Sequence, residues 1–159
     1  VAAYAASPNA VGPTGADNGE MSDNSEALLD RVVRGARTIA VVGASDNPSR
    51  PSYEIASYLH DQGFRIFPVN PKLDGLLGLP SYRALADVPE RIDIVDVFRT
   101  PSATPEIAEQ AVAVGAGALW LQLGVINEQA AAIAARGGLD VVMDRCLLVE
   151  HRRLAAKES

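Results

Sequence analysis

Between residues 28 and 154, short β-branched and aromatic runs alternate with stretches whose apolar residues recur every three or four positions. The first kind read as buried strands, because a strand covered on both faces has no polar side to show. The second kind read as amphipathic helices. Leu28, Leu29, Val32 and Val33 mark a helix for which Ser22 or Asn24 is the expected cap and Gly35 the expected end. Thr38–Val42 is the first strand. After a polar turn, a helix beginning near Tyr53 carries Ile55, Ala56, Tyr58 and Leu59 on one side and ends at Gly63, a left-handed C-cap. Residues 64–69 form the second strand, stopped by Asn70 and Pro71. Residues 72–82 read as a polar, glycine-rich connection, and 83–86 as a short helical turn.

The second half repeats the alternation. A third strand spans 92–98. Pro105 and Glu106 open a helix with Ile107, Ala108, Ala111 and Val114 inward and Gly115 at its end. A fourth strand spans 118–123. Asn127 caps a helix that ends at Gly137 and Gly138, a fifth strand spans 139–143, and a last helix spans 147–154. Connections this short put the strands in parallel with helices on both faces. The expected fold is α/β, a three-layer, doubly wound Rossmann-type sheet of about five strands.

Residues 1–20 are Ala, Gly, Pro and Asn-rich, lack any period and precede Met21. They are expected to be an expression leader, a disordered native extension being the other reading. Residues 21–159 are expected to form a single domain. With 48% hydrophobic and 21% charged residues, the chain has a globular composition. The net charge of −6 disfavours a nucleic-acid partner, which needs a basic face. No apolar run is long enough to span a bilayer. A single cysteine, Cys146, leaves no internal disulfide or cysteine-rich zinc site, so a cytoplasmic setting is expected.

In doubly wound sheets, ligands bind beyond the carboxyl ends of the strands. That rule selects Gly43, Ala44, Ser45 and Arg50; Pro68, Asn70, Pro71 and Lys72; Phe98, Arg99 and Thr100; Gln122 and Gly124; Asp144, Arg145 and Cys146. A small-residue turn before a helix exposes N–H groups at the positive end of the helix dipole, a setting for phosphate. Arg50, Lys72 and Arg99 follow three different strand ends, which points to an anionic ligand. NAD is disfavoured: no further glycine follows Gly43 before the helix, and the second strand ends in Asn70 without a ribose-binding carboxylate. A Walker P-loop is excluded, because no Gly-Lys-Ser/Thr trio follows the first strand.

Val42-Gly43-Ala44-Ser45, Arg50-Pro51-Ser52, Pro68-Val69-Asn70-Pro71, Val97-Phe98-Arg99, Trp120-Leu121-Gln122-Leu123-Gly124 and Asp144-Arg145-Cys146 occur together and in this order. The set resembles the small stand-alone CoA-binding proteins and, more distantly, the CoA-binding N-terminal domain of the succinyl-CoA synthetase α-subunit. The resemblance implies coenzyme A as cofactor. On it, Gly43, Ala44 and Ser45 would donate to the pyrophosphate, with Arg50 and Ser52 nearby. Val69, Asn70 and Pro71 would border the adenine and ribose, and Lys72 would approach the 3′-phosphate. Phe98, Arg99 and Thr100 would flank the nucleotide or the start of pantetheine, and Trp120, Gln122 and Gly124 would line the path to the thiol.

The synthetase also needs a domain with a phosphorylated histidine, and none is expected in this stretch of sequence. His60 and His151 fall in helices as ordinary histidines, and Asp93 and Asp96, three apart in a strand, face opposite sides. No catalytic constellation is visible. The expectation is a non-catalytic binding or regulatory module for CoA or acyl-CoA, with a homodimer as a reasonable assembly. The alternatives are a component of an acyl-CoA ligase or an NAD(P)-binding oxidoreductase. Cys146 reads as a small core residue or, alternatively, as a thiol able to form a mixed disulfide with the cofactor.

Overall fold

The computed structural model describes residues 25–158. The expected leader, Ser22 and Asn24 lie outside them. Helix α1, Glu26–Gly35, is capped by Ser25, whose hydroxyl accepts from the Leu28 amide, so the expected caps were misplaced toward the N-terminus. Strand β1, Thr38–Val42, is buried at every position. Helix α2, Pro51–Asp61, ends before Gly63, which holds a φ of +98°. Strand β2 is Arg65–Val69.

Residues 72–82 are more ordered than their composition suggests. Strands β3, Gly75–Leu76, and β4, Leu79–Pro80, form an antiparallel hairpin. Its turn places Leu77 and Gly78 at φ 56° and 76°, the two positive values of a primed hairpin turn. A short 3-10 turn, Leu85–Asp87, follows. The remaining elements are β5, Ile94–Val97; α3, Thr104–Ala113; β6, Ala118–Leu121; α4, Glu128–Arg136; β7, Asp140–Met143; and α5, Leu147–Lys157. The fourth strand is shorter than expected. Past Leu121 the chain leaves the sheet, and the Leu123 side chain is exposed.

The main sheet is parallel, in the order β2-β1-β5-β6-β7. Alternation along each strand divides the interior into two cores. Ala40, Val42, Val95, Leu119 and Val141 meet α3 and α4 on one face. Ile39, Val41, Ile94, Trp120 and Val142 meet α1, α2 and α5 on the other. The chain thus builds β1 and β2 with a helix on one face, then crosses to β5 and continues with helices on the opposite face. That reversal beside β1 creates the switch-point crevice of a doubly wound sheet.

Ion pairs pin the terminal helices together. Arg153 of α5 meets Asp30 of α1 at 2.8 Å, and Lys157 meets Glu26 at 2.6 Å. Among the described residues no helix is long and apolar enough to cross a membrane.

Candidate functional site

The crevice between the ends of β1 and β5 is closed by backbone. The Gly43 amide donates to the Val69 carbonyl at 3.0 Å, and the Phe98 amide donates to the Val42 carbonyl at 2.8 Å. Gly43 has a φ of +86°. A Cβ there would overlap the Phe98 carbonyl oxygen and stand 3.1 Å from Arg99 Cδ. Only glycine satisfies both the dihedral and the close approach.

The turn after Gly43 is braced by side chains. Asn70 Nδ2 donates to the Ala44 carbonyl at 2.8 Å, while Asn70 Oδ1 accepts from the Lys72 amide at 2.9 Å. Ser45 Oγ accepts from the Asn47 amide, and Asn47 Oδ1 accepts from the Ser49 amide, both at 3.0 Å. Asn70→Ala is expected to cost about 1–2 kcal/mol, because one side chain ties two loops. Thermal unfolding checks the cost, and faster hydrogen exchange at amides 44–49 checks that the turn has loosened.

These bonds sort the expected site residues. The Gly43 N–H is already engaged, so it is unavailable to a phosphate. The Ala44 and Ser45 amides have no partner among the described residues, and the Ser45 hydroxyl keeps its proton to donate. Arg50 is the N-cap residue of α2, without a side-chain capping bond, and Ser52 sits buried in the first turn. In that turn Pro51 has no N–H, and the Tyr53 and Glu54 amides donate to the Arg50 carbonyl at 3.0 and 3.2 Å, which leaves the Ser52 N–H without a partner among the described residues. Arg50, Lys72 and Arg99 are exposed, and none has an acidic partner among the described residues. Pro71 and Thr100 are exposed, and Phe98 is half-buried against the α1-α2-α5 core.

The structure places the side chains of three expected site residues inside the fold. Trp120 is fully buried, its indole N–H donating to the Arg145 carbonyl at 2.8 Å, so it is core and lines no path to solvent. The Val69 side chain also belongs to the core, leaving only its carbonyl at the crevice. Gln122 is buried with Oε1 accepting from the Leu147 amide at 3.1 Å, which fixes the start of α5. Gly124 is held by Asp144, whose Oδ1 accepts its amide at 2.7 Å. Asp144 adopts a φ of 63°, a role its strand-end position did not reveal.

Asp93 precedes β5 and accepts from the Arg37 and Thr38 amides at 2.8 and 3.2 Å; Asp96 is buried within the strand. His60 is exposed. His151 bonds the Tyr58 hydroxyl at 2.7 Å, and burial holds its ring below the usual histidine range. Cys146 is half-buried against the core as the N-cap residue of α5.

Residues 37–152 match the CoA binding domain family. The chain belongs to the CoA-binding domain family. Its relatives include the uncharacterized protein YneT of Bacillus subtilis, 37% identical over 82% of this chain and 97% of that protein. A hypothetical protein from Pyrococcus horikoshii OT3 has a solved structure superposing with a TM-score of 0.80 at 36% identity, covering 82% of this chain and 92% of that one. An ADP-forming acetate–CoA ligase II of Archaeoglobus fulgidus is 30% identical over 58% of this chain, but the match takes up 14% of the ligase. The CoA-binding domain is therefore shared by short chains and by much longer ligases. The bracing described above falls inside the matched residues.

Proposed function

We propose that this chain binds coenzyme A or an acyl-CoA beyond the carboxyl ends of β2, β1 and β5, as a binding or regulatory module without chemistry of its own. The observation that carries the reading is the free Ala44 and Ser45 amides at the switch-point crevice, beside Arg50, Lys72 and Arg99, which have no acidic partners among the described residues. Family membership makes coenzyme A the fitting anion. On this reading the pyrophosphate lies over the Ala44-Ser45 turn and the first turn of α2, where N–H groups and the helix dipole favour negative charge. Lys72 and Arg99 serve the remaining phosphate, which an acidic residue at Asn70 would repel. Asn70 and Pro71 border the adenosine, Phe98 and Thr100 flank the nucleotide, and Gly124 leads toward the thiol.

Calorimetric titration with CoA, acetyl-CoA, NAD and NADP is expected to give heat with the CoA species alone. Tight NAD(P) binding without a CoA response would overturn the reading. Arg99→Ala and Lys72→Ala are expected to weaken CoA about tenfold while changing dephospho-CoA less, since a charge-assisted bond to the 3′-phosphate is lost. Equal losses for both ligands would show that neither side chain meets that group.

A second reading, a ligase component, is favoured by the Archaeoglobus relative. ADP release from ATP, acetate and CoA that requires this chain together with a nucleotide-binding ligase subunit would establish it.

A further inference from the structure

The amino end of the sheet, opposite the Gly43 turn, carries a second concavity. A cleft of about 590 Å³ opens between the C-terminal turns of α1, α2 and α5. Val33, Ala36, Phe64 and Leu154 give it an apolar floor. Arg34, Arg37 and Arg65 stand in its wall, in a chain whose net charge is −6.

Two of those cations are already matched, Arg34 with Glu158 and Arg65 with Glu90. The Arg37 guanidinium has no partner among the described residues, although its backbone is fixed by the Asp93 carboxylate accepting its amide at 2.8 Å. His151 adds an aromatic wall. Its ring stands edge-on to Phe64, centroids 5.4 Å apart, and its Nδ1 is taken by the Tyr58 hydroxyl, leaving Nε2 as its remaining polar position. An apolar floor with an unmatched guanidinium above it suits a flat body carrying one anionic group.

We propose that this cleft binds a small organic carboxylate with a flat apolar body, the carboxylate on Arg37 and the body against Phe64 and His151. This site is separate from the coenzyme crevice and does not depend on what that crevice binds. The ordinary role for Arg37 would be to offset the negative ends of the three helices that finish nearby.

Benzoate is the test probe, and benzamide is its uncharged counterpart of the same shape. In two-dimensional amide NMR, benzoate is expected to shift the signals of Ala36, Gly63, Phe64 and Arg65 saturably at millimolar concentration, as its small size implies. The shifts should persist with excess CoA present, and benzamide should not reproduce them. Arg37→Ala, at an exposed position, should leave the fold intact and weaken benzoate about tenfold or more. Any of four outcomes would overturn the proposal: no saturable shift at tens of millimolar, equal shifts with benzamide, displacement by CoA, or unchanged affinity in Arg37→Ala. A stability loss in that variant without benzoate binding would assign Arg37 to the helix ends alone.

Discussion

Gly43→Ala is expected to lower stability by about 2–5 kcal/mol and to abolish CoA binding. Two penalties combine at this position. An L-residue at a φ of +86° costs roughly 1–2 kcal/mol. A Cβ pressed against the Phe98 backbone, 3.0 Å from its carbonyl carbon, adds about 1–3 kcal/mol of overpacking. Relief would come from parting β1 from β5, which moves the Ala44 and Ser45 amides away from the place where a pyrophosphate would meet them. Gly138→Ala is the control, because Gly138 has a φ of +90° with nothing within 4 Å of an added Cβ. Thermal unfolding of both variants separates dihedral strain from the close approach, and calorimetry with CoA reads the site. The account fails if Gly43→Ala loses no more stability than Gly138→Ala, or if it binds CoA normally.

The same glycine shows what the sequence could reveal. Thr38–Val42 followed by Gly43 was legible because a parallel strand buried on both faces leaves a continuous apolar run. The helix stops at Gly63, Gly115 and Gly138 were equally readable, since each holds a positive φ. The hairpin at residues 75–80 was not. Its turn asks for Asn, Asp or Gly at both central positions, and Leu77 stands at the first, where its packing against the α1-α2-α5 core offsets the strain. The loop cations could be named from sequence, but their lack of acidic partners could not. Trp120 is ambiguous in the sequence because an aromatic residue at a strand end serves a core or a ligand equally well. Its indole N–H found the Arg145 carbonyl instead, a contact between residues distant in sequence. Asn70 reads from sequence as a ligand neighbour, and its bonds to Ala44 and Lys72 give it a second task that the sequence did not show, organising the turn itself.

Asp96→Val is expected to raise stability by about 1–3 kcal/mol, the usual cost of a buried polar group left without a partner. Asp96 lies in β5 between Val41 and Trp120, fully buried, and neither carboxylate oxygen has a hydrogen-bond partner among the described residues. Burial alone pushes its carboxyl well above the usual range, which favours the neutral acid. The unfolded chain ionises near pH 4 while the folded chain keeps the proton. Stability therefore falls as pH rises from that point toward the folded value, by up to about 1.4 kcal/mol per pH unit, and then levels. Glu26 and Asp30 act oppositely. Hydrogen bonds from Lys157 and Arg153, respectively, hold them low, so their contribution is lost as pH falls. Asp96→Asn leaves those groups in place, and its difference from the parent protein isolates the buried acid. Denaturant unfolding between pH 4 and 8 should show Asp96→Asn gaining on the parent as pH rises. A constant difference across that range would mean that Asp96 is ionised in the fold, and a destabilised Asp96→Val would mean that a hydrogen-bond partner holds the carboxyl.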